Sequence, residues 1–137
     1  MKEKIFITTY DEESKRSVVI DEDDHAIWAY LTLPDAMEVD FPGFICSVKQ
    51  PVSEVEDPSI YFKQGVAPPI TKSFSNEFTF LPEVKASQFS VEWDEQASHV
   101  KVLVNAQVFL VMDYVNRCSY SKGLSSESPY GLPLDEK

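Results

Sequence analysis

A run of acidic residues near the N-terminus is the first place in the sequence where chemistry could occur. The run consists of Asp21, Glu22, Asp23 and Asp24. A calcium-binding loop would need oxygen ligands at alternate positions, then a glycine, and then a distal glutamate. Asp21 and Asp23 suit the first two positions, but Ala26 and Thr32 occupy the glycine and glutamate positions. The run therefore predicts a solvated turn rather than a metal site, and its charge makes it a candidate binding surface.

The histidines and cysteines do not form a pattern that is typical of a catalytic or metal site. They are His25, His99, Cys46 and Cys118. A zinc site needs three or four such ligands, usually with closely spaced pairs, and these four are scattered. No serine lies in a glycine-flanked nucleophile elbow. Both cysteines stand in apolar, strand-like segments, so buried free thiols are favoured over a disulfide, and no cofactor is expected.

Asp113 is the residue of the second half that could carry a function. It directly follows the apolar residues 108–112, where an ionised carboxylate is costly without partners. Arg117 is close in sequence, so a structural ion pair is the favoured interpretation. The alternative is a carboxylate and histidine site, formed with His99 in a cleft of the sheet, because perturbed acids collect at functional sites.

Aromatic side chains are the last group with a possible role. Tyr61 and Phe62 stand in the proline-rich middle of the chain, where an exposed aromatic pair would suit a protein interface. Trp28 and Trp93 lie within strand-like runs, and we expect them to face each other in the core. The predicted binding residues are therefore the acidic run, Tyr61, Phe62 and Asp113.

The elements that position these residues are strands. Residues 88–120 alternate apolar and polar side chains in four runs separated by polar turns, which predicts an antiparallel meander. Further strands are expected at residues 4–10, 17–20, 26–33, 43–49 and 76–81, with a weaker one at 60–62. In the first of them, Ile5, Ile7 and Thr9 share one face. A short helix is allowed at 35–40 or after Val52.

These elements predict a mainly β protein, an antiparallel sandwich or a partly closed barrel with at most one short helix. A chain of 137 residues suits a single domain. We place that domain at residues 1–122 and expect residues 123–137 to form a flexible tail.

The net charge of −11 is distributed unevenly. Residues 1–60 hold 14 acidic and 5 basic side chains, whereas residues 61–122 hold 6 of each. No cluster of Lys and Arg is present for nucleic acid or anionic membranes, so both are disfavoured as partners. A basic protein partner is favoured, with the N-terminal half as its binding surface. The charged N-terminus lacks a signal-peptide pattern, so a cytoplasmic location is expected.

Two stretches carry a family resemblance. The first is residues 18–24, which lead into Trp28 and Tyr30. The second comprises residues 91–94 and 102–105, followed by Asp113, Tyr114 and Tyr120. Together they resemble an uncharacterised family of small bacterial proteins that is known only as a domain of unknown function. The resemblance implies a β fold and no activity.

The sequence thus predicts a small, acidic, non-enzymatic domain that binds another protein, in the manner of an immunity protein or an adaptor. The alternative is a small-molecule-binding protein or an enzyme with a carboxylate and histidine site. Which partner is bound, and in which oligomeric state, stays open.

Overall fold

The protein is a mainly β sandwich of two sheets. The computed structural model describes residues 4–53, 70–94, 96, 98–128 and 130–134. The first sheet is antiparallel and contains β1 (Phe6–Asp11), β2 (Arg16–Glu22), β3 (Ala26–Thr32) and β4 (Val39–Ser47), in that order. The predicted fold class is confirmed, and of the two predicted architectures the structure has the sandwich.

The second sheet contains the predicted meander. Its strands are β5 (Phe89–Asp94), β6 (His99–Val104), β7 (Gln107–Asp113), β8 (Cys118–Ser121) and β9 (Leu132–Pro133). The first four pair antiparallel in chain order, as their alternating sequence predicts, and the short β9 runs parallel to β8. The strand at residues 108–112 is thus confirmed as β7, in the middle of this sheet.

The main core lies between the two sheets. It is built from apolar residues that alternate inward on each strand, such as Ile20, Leu31, Val102 and Met112, which are completely buried. β4 and β7 approach closely at Gly43, where a Cβ atom would stand 2.8 Å from a methyl carbon of Leu110. A side chain at that position would overpack the core, which is why glycine suits it.

A second apolar cluster covers the other face of β3 and β4. Trp28 and Phe44 lie there against Leu124 and Tyr130, with the Trp28 and Tyr130 ring centroids 6.0 Å apart. Leu124 and Tyr130 belong to the segment that we expected to be a flexible tail, yet both are buried. The prediction of a tail from residue 123 is corrected in this respect, because the aromatic face of the first sheet needs this segment as its cover.

Three further expectations are corrected by the structure. Trp93 packs against the main core, so it does not face Trp28. Residues 76–81 contain turns and a single bridge from Phe80 to Ser47, and the predicted strand is absent there. Residues 35–38 form turns rather than a helix, and β4 already begins at Val39. The possible strand at residues 60–62 lies outside the described residues.

The two cysteines and the helices of the described residues complete the description of the fold. No disulfide joins Cys46 and Cys118, as expected, and the first is buried and the second half-buried. Among the helices of the described residues, which are two single 3-10 turns at Lys72–Phe74 and Ala86–Gln88, none could cross a membrane.

Candidate protein-binding surface

The side of β1 that faces away from the core carries an unusual set of side chains. Ile7 pairs with the buried Ile20, so the alternate residues Phe6, Thr8 and Tyr10 point to the opposite side of the sheet. The strand register places further residues beside them on that side. We call the whole set the outer β1 face, and it comprises Phe6, Thr8, Tyr10, Val19, Asp21 and Tyr30.

Two large aromatic side chains of this face are open to solvent. Phe6 is 68% exposed and Tyr10 is 54% exposed, although burial of either ring would be favourable. They lie on one strand, two residues on either side of Thr8, so they form one surface rather than isolated exposures. Tyr30, on the same side two strands away, is half-buried. Aromatic residues exposed together in this way mark interaction surfaces.

Two acids of the predicted acidic turn shape the turn itself. The Asp23 carboxylate accepts hydrogen bonds from the backbone N–H groups of His25, at 2.7 Å, and Ala26, at 2.8 Å. Asp24 forms an exposed ion pair with Lys4, with Nζ and Oδ1 2.5 Å apart. These contacts explain the acids structurally, as a hairpin turn that is tied to the start of β1.

The other two acids face β1. Glu22 accepts a hydrogen bond from the Ile5 N–H at 3.0 Å, which fixes the N-terminal end of β1. Asp21 lies between Phe6 and Trp28 in the cross-strand row. Burial, and to a smaller extent Asp23, raises the pKa of Asp21, while Lys4 opposes them. The fold thus disfavours the charged form of Asp21.

Asp21 also affects its aromatic neighbour. Burial raises the pKa of Tyr30, and Asp23 and Asp21 raise it further, so its phenol stays protonated and can donate a hydrogen bond. Within the described residues no group of three or more His, Cys, Asp or Glu side chains could hold a metal ion. The acids of the run Asp21–Asp24 therefore add negative charge to the surface beside β1.

Asp113 has a structural role that differs from the predicted one. Its Oδ1 accepts hydrogen bonds from the backbone N–H groups of Val115 and Asn116, both at 3.0 Å, and its Oδ2 accepts one from the Asn116 side chain at 2.7 Å. Arg117 does not pair with it but with Asp40 of β4, at 2.7 Å. The predicted ion pair is wrong, because Asp113 caps the β7–β8 turn while Arg117 points to the other sheet.

Asp113 lies between a histidine and a cysteine on neighbouring strands, and this order does not suit nucleophilic catalysis. Across β6, β7 and β8 the row reads His99, Asp113 and Cys118. His99 Nε2 lies 3.6 Å from Asp113 Oδ2. The strand of Asp113 stands between His99 and Cys118, so the imidazole is two strand spacings, roughly 10 Å, from the thiol. A catalytic histidine must reach the nucleophile directly. The Cys118 thiol instead donates a hydrogen bond to the Tyr120 hydroxyl at 3.3 Å.

The pKa of Asp113 gives a testable pH dependence. Burial raises this pKa, but the hydrogen bonds from Asn116 and Val115, with His99 nearby, outweigh it and hold it below its usual value. A lowered pKa in the folded state means that the ionised carboxylate stabilises the fold above about pH 4, and that this contribution is lost as the pH falls further.

We expect Asp113→Asn to lower the free energy of unfolding by about 1–2 kcal/mol at pH 7, because hydrogen bonds to a charged acceptor are lost. The difference from the original protein should narrow at pH 3, because below the usual pKa of an aspartate the unfolded chain takes up a proton that the folded state disfavours, so the contribution of the carboxylate is progressively lost. Urea unfolding at both pH values measures it, with the exposed Glu83→Gln as control. An equal difference at both pH values would contradict the role of the ionised carboxylate.

The predicted site residues are thus only partly brought together. The acidic run lies beside the outer β1 face, Asp113 belongs to the other sheet, and Tyr61 and Phe62 lie outside the described residues. Phe6 and Tyr10 were not among the predicted residues. The signal was present, because a strand with Ile5, Ile7 and Thr9 on its inner side must turn its even-numbered residues outward.

Comparisons with protein-family models, curated protein sequences and solved structures found no match to this chain.

Proposed function

We propose that this protein is a non-enzymatic domain that binds a basic protein through the outer β1 face. The observation that carries the proposal is the joint exposure of Phe6 and Tyr10 on a strand that has acidic groups at both ends. Exposed aromatic rings supply large contact areas that lose water on binding, and such residues are frequent hot spots. The core does not need these two rings, because the inner face of β1 already contributes Ile5 and Ile7 to it.

The charge of this region defines the class of partner. Residues 4–24 contain seven acidic and three basic side chains, which gives a net charge of −4. Two of the basic side chains are engaged within the fold, since Lys4 pairs with Asp24 and Arg16 with the buried Asp40. The resulting negative potential would attract a partner rich in Lys and Arg and speed its association, with an effect that salt weakens.

The alternative of a small-molecule or catalytic site is less well supported. The carboxylate of Asp113 accepts hydrogen bonds from the backbone of its own turn, and the strand of Asp113 separates His99 from the Cys118 thiol. Three cavities lined by described residues do not include Asp113 or His99. An immunity-like or adaptor-like role in the bacterial cytoplasm remains the concrete form of the proposal, and the family resemblance stays a prediction.

A pull-down at low and high salt tests the proposal. The immobilised protein and its Phe6→Ala/Tyr10→Ala variant are compared with a control variant, Met37→Ala/Val115→Ala, which removes equally exposed apolar groups elsewhere. The expected result is a protein that the original and the control retain at low salt, and that the first variant does not. Equal recovery by all three would contradict a role for the outer β1 face.

Asp21→Asn should separate binding from stability. Because folding raises the pKa of Asp21, the neutral form is favoured in the fold, and the stability that this group contributes is lost as the pH rises through its folded pKa. At pH 7 we therefore expect the variant to unfold at a slightly higher temperature while it binds the partner about tenfold more weakly. Thermal unfolding and a binding titration measure the two effects. A drop in both would mean that Asp21 serves the fold.

A further inference from the structure

β1 is an edge strand whose outward backbone groups can be identified. It has β2 as its neighbour on one side and no strand of the described sheets on the other. The Glu22 N–H donates to the Ile5 carbonyl at 2.9 Å, so Ile5 directs its backbone groups toward β2. Alternate residues of an antiparallel strand direct both groups to the same side. The N–H and C=O groups of Phe6, Thr8 and Tyr10 therefore point away from the sheet.

Among the described residues, β1 from Phe6 to Tyr10 lacks the features that normally prevent pairing with another chain. Proteins protect edge strands with charged side chains, prolines, bulges or covering segments. From Phe6 to Tyr10 the strand has no charge and no proline, and its register with β2 is regular. By contrast, the free edge strand β5 carries the exposed Glu92 and Asp94. β9, at the opposite edge of that sheet, is short and contains Pro133.

The opposite edge of the first sheet, at β4, is partly covered. There the end of β4 is engaged by another segment, because the Ser47 N–H donates to the Thr79 carbonyl and the Leu81 N–H donates to the Ser47 carbonyl. β1 is thus the unprotected edge among the described strands, and its residues, two of them threonines and two aromatic, have high β propensity. An unprotected edge of this kind is a template for a strand added from another chain.

We propose that an extended, basic segment of the partner protein adds to β1 as a further strand of the first sheet. This inference rests on the proposed function and specifies its binding mode. The backbone hydrogen bonds would form with Phe6, Thr8 and Tyr10, the same residues whose side chains are exposed beside the new strand. Alternate side chains of the partner would then lie next to the two aromatic rings.

Charge selects a basic segment over a second copy of this chain. β1 spans six residues, roughly 20 Å. Asp11 is its last residue and Glu12 and Glu13 follow, while Asp21 and Asp24 stand beside its N-terminal end. Lys or Arg residues at the two ends of an added strand would meet these acids. A second copy would bring its own acidic run and a net charge of −11 against them, which disfavours pairing.

A defined peptide tests this mode of binding. The probe has alternating valine and threonine in its centre and two lysines at each end, and its control carries N-methyl groups on the backbone amides that would face β1. Titration into isotope-labelled protein is followed by NMR, with hydrogen exchange of the β1 amides. We expect the probe to bind and to protect the amides of Phe6, Thr8 and Tyr10, and the methylated control to bind at least tenfold more weakly.

A pair of variants at one position isolates the backbone contribution. Thr8→Pro removes an outward N–H that β2 does not use, which edge strands tolerate, whereas Thr8→Ala removes the side chain and keeps the N–H. We expect the proline variant, checked for an unchanged fold by its NMR spectrum, to bind the probe at least tenfold more weakly than the alanine variant.

The outcomes separate this inference from the proposed function. Equal binding of both peptides, or equal binding by both variants, would overturn strand addition but leave binding through the aromatic face, which the pull-down with Phe6→Ala/Tyr10→Ala judges independently. No binding of the probe at millimolar concentration would also overturn it. Protection of the outward amides in a dimer of the protein alone would assign the edge to a second copy instead.

Discussion

The double substitution Phe6→Ala/Tyr10→Ala is expected to weaken binding of the protein partner at least 100-fold without a measurable loss of stability. Both rings are mostly exposed in the free protein, at 68% and 54%, so their removal costs the fold little. In the complex they would be the largest apolar groups to lose contact with water, and the loss of two such anchors is expected to cost about 3 kcal/mol or more.

The measurement is a binding titration with the protein that the pull-down retains, together with thermal unfolding of each variant. The control Met37→Ala/Val115→Ala removes side chains that are 71% and 70% exposed but lie away from β1. It should bind like the original protein. If the control lost as much affinity as the double variant, nonspecific binding by exposed apolar groups would explain the result.

The largest effect on stability is expected from Asp40→Asn, at about 3 kcal/mol. The Asp40 side chain is 6% exposed and receives Arg16 Nη1 at 2.9 Å on one oxygen and Arg117 Nε at 2.7 Å on the other. Arg16 is itself nearly buried, with its guanidinium carbon 4.6 Å from the ring centroid of Tyr114. Removal of the carboxylate charge would leave a buried cation without its counterion, which is strongly destabilising.

Asp24→Asn is the matched control for Asp40→Asn, because it breaks the Lys4–Asp24 pair, in which both side chains are mostly exposed. Exposed pairs add little to stability, so urea unfolding should show almost no change for this variant. Similar, small effects of both substitutions would show that the Asp40 cluster does not hold the two sheets together. The cluster lies away from the outer β1 face, because Arg16 lies on the same side of β2 as the buried Val18 and Ile20 and is therefore on the core-facing side of the first sheet.

Most strands of both sheets could be predicted, several of them, such as β1 and β5, from a period of two and others, such as β3 and β7, from runs of apolar and aromatic residues. In β5 the half-buried Phe89, Val91 and Trp93 alternate with exposed polar residues. The segments that failed are those whose structure depends on distant contacts. Residues 76–81 read as a strand, but Asn76 and Thr79 bond to the backbone of Lys122 and Gly123, which holds them in turns.

The same reason explains why the end of the chain was misjudged. Gly123 and the serines after it are typical of a loop, and nothing in their pattern shows that Trp28 and Phe44 present an apolar face on the far side of the first sheet. Only the fold reveals that Leu124 and Tyr130 cover that face. Likewise, Arg117 was assigned to Asp113 by its closeness in sequence, whereas its partner Asp40 is 77 residues away.

Only part of the candidate site could be predicted from the sequence. The charge asymmetry points to the N-terminal half, and the acidic run stands beside an edge strand of the first sheet. The exposed aromatic residues were sought in the proline-rich middle, although the alternation in β1 already implied that Phe6 and Tyr10 face away from Ile5 and Ile7. What the sequence could not supply was the position of β1 at the edge of its sheet, which leaves both its side chains and its backbone open.

The most direct test of the central claim is hydrogen–deuterium exchange of the protein with and without the partner that it retains. We predict that the partner slows exchange in β1 and in the facing residues of β2, and leaves β5 to β8 unchanged. Protection confined to the second sheet, around His99, Asp113 and Tyr120, with β1 unaffected, would contradict the assignment of the outer β1 face as the binding surface.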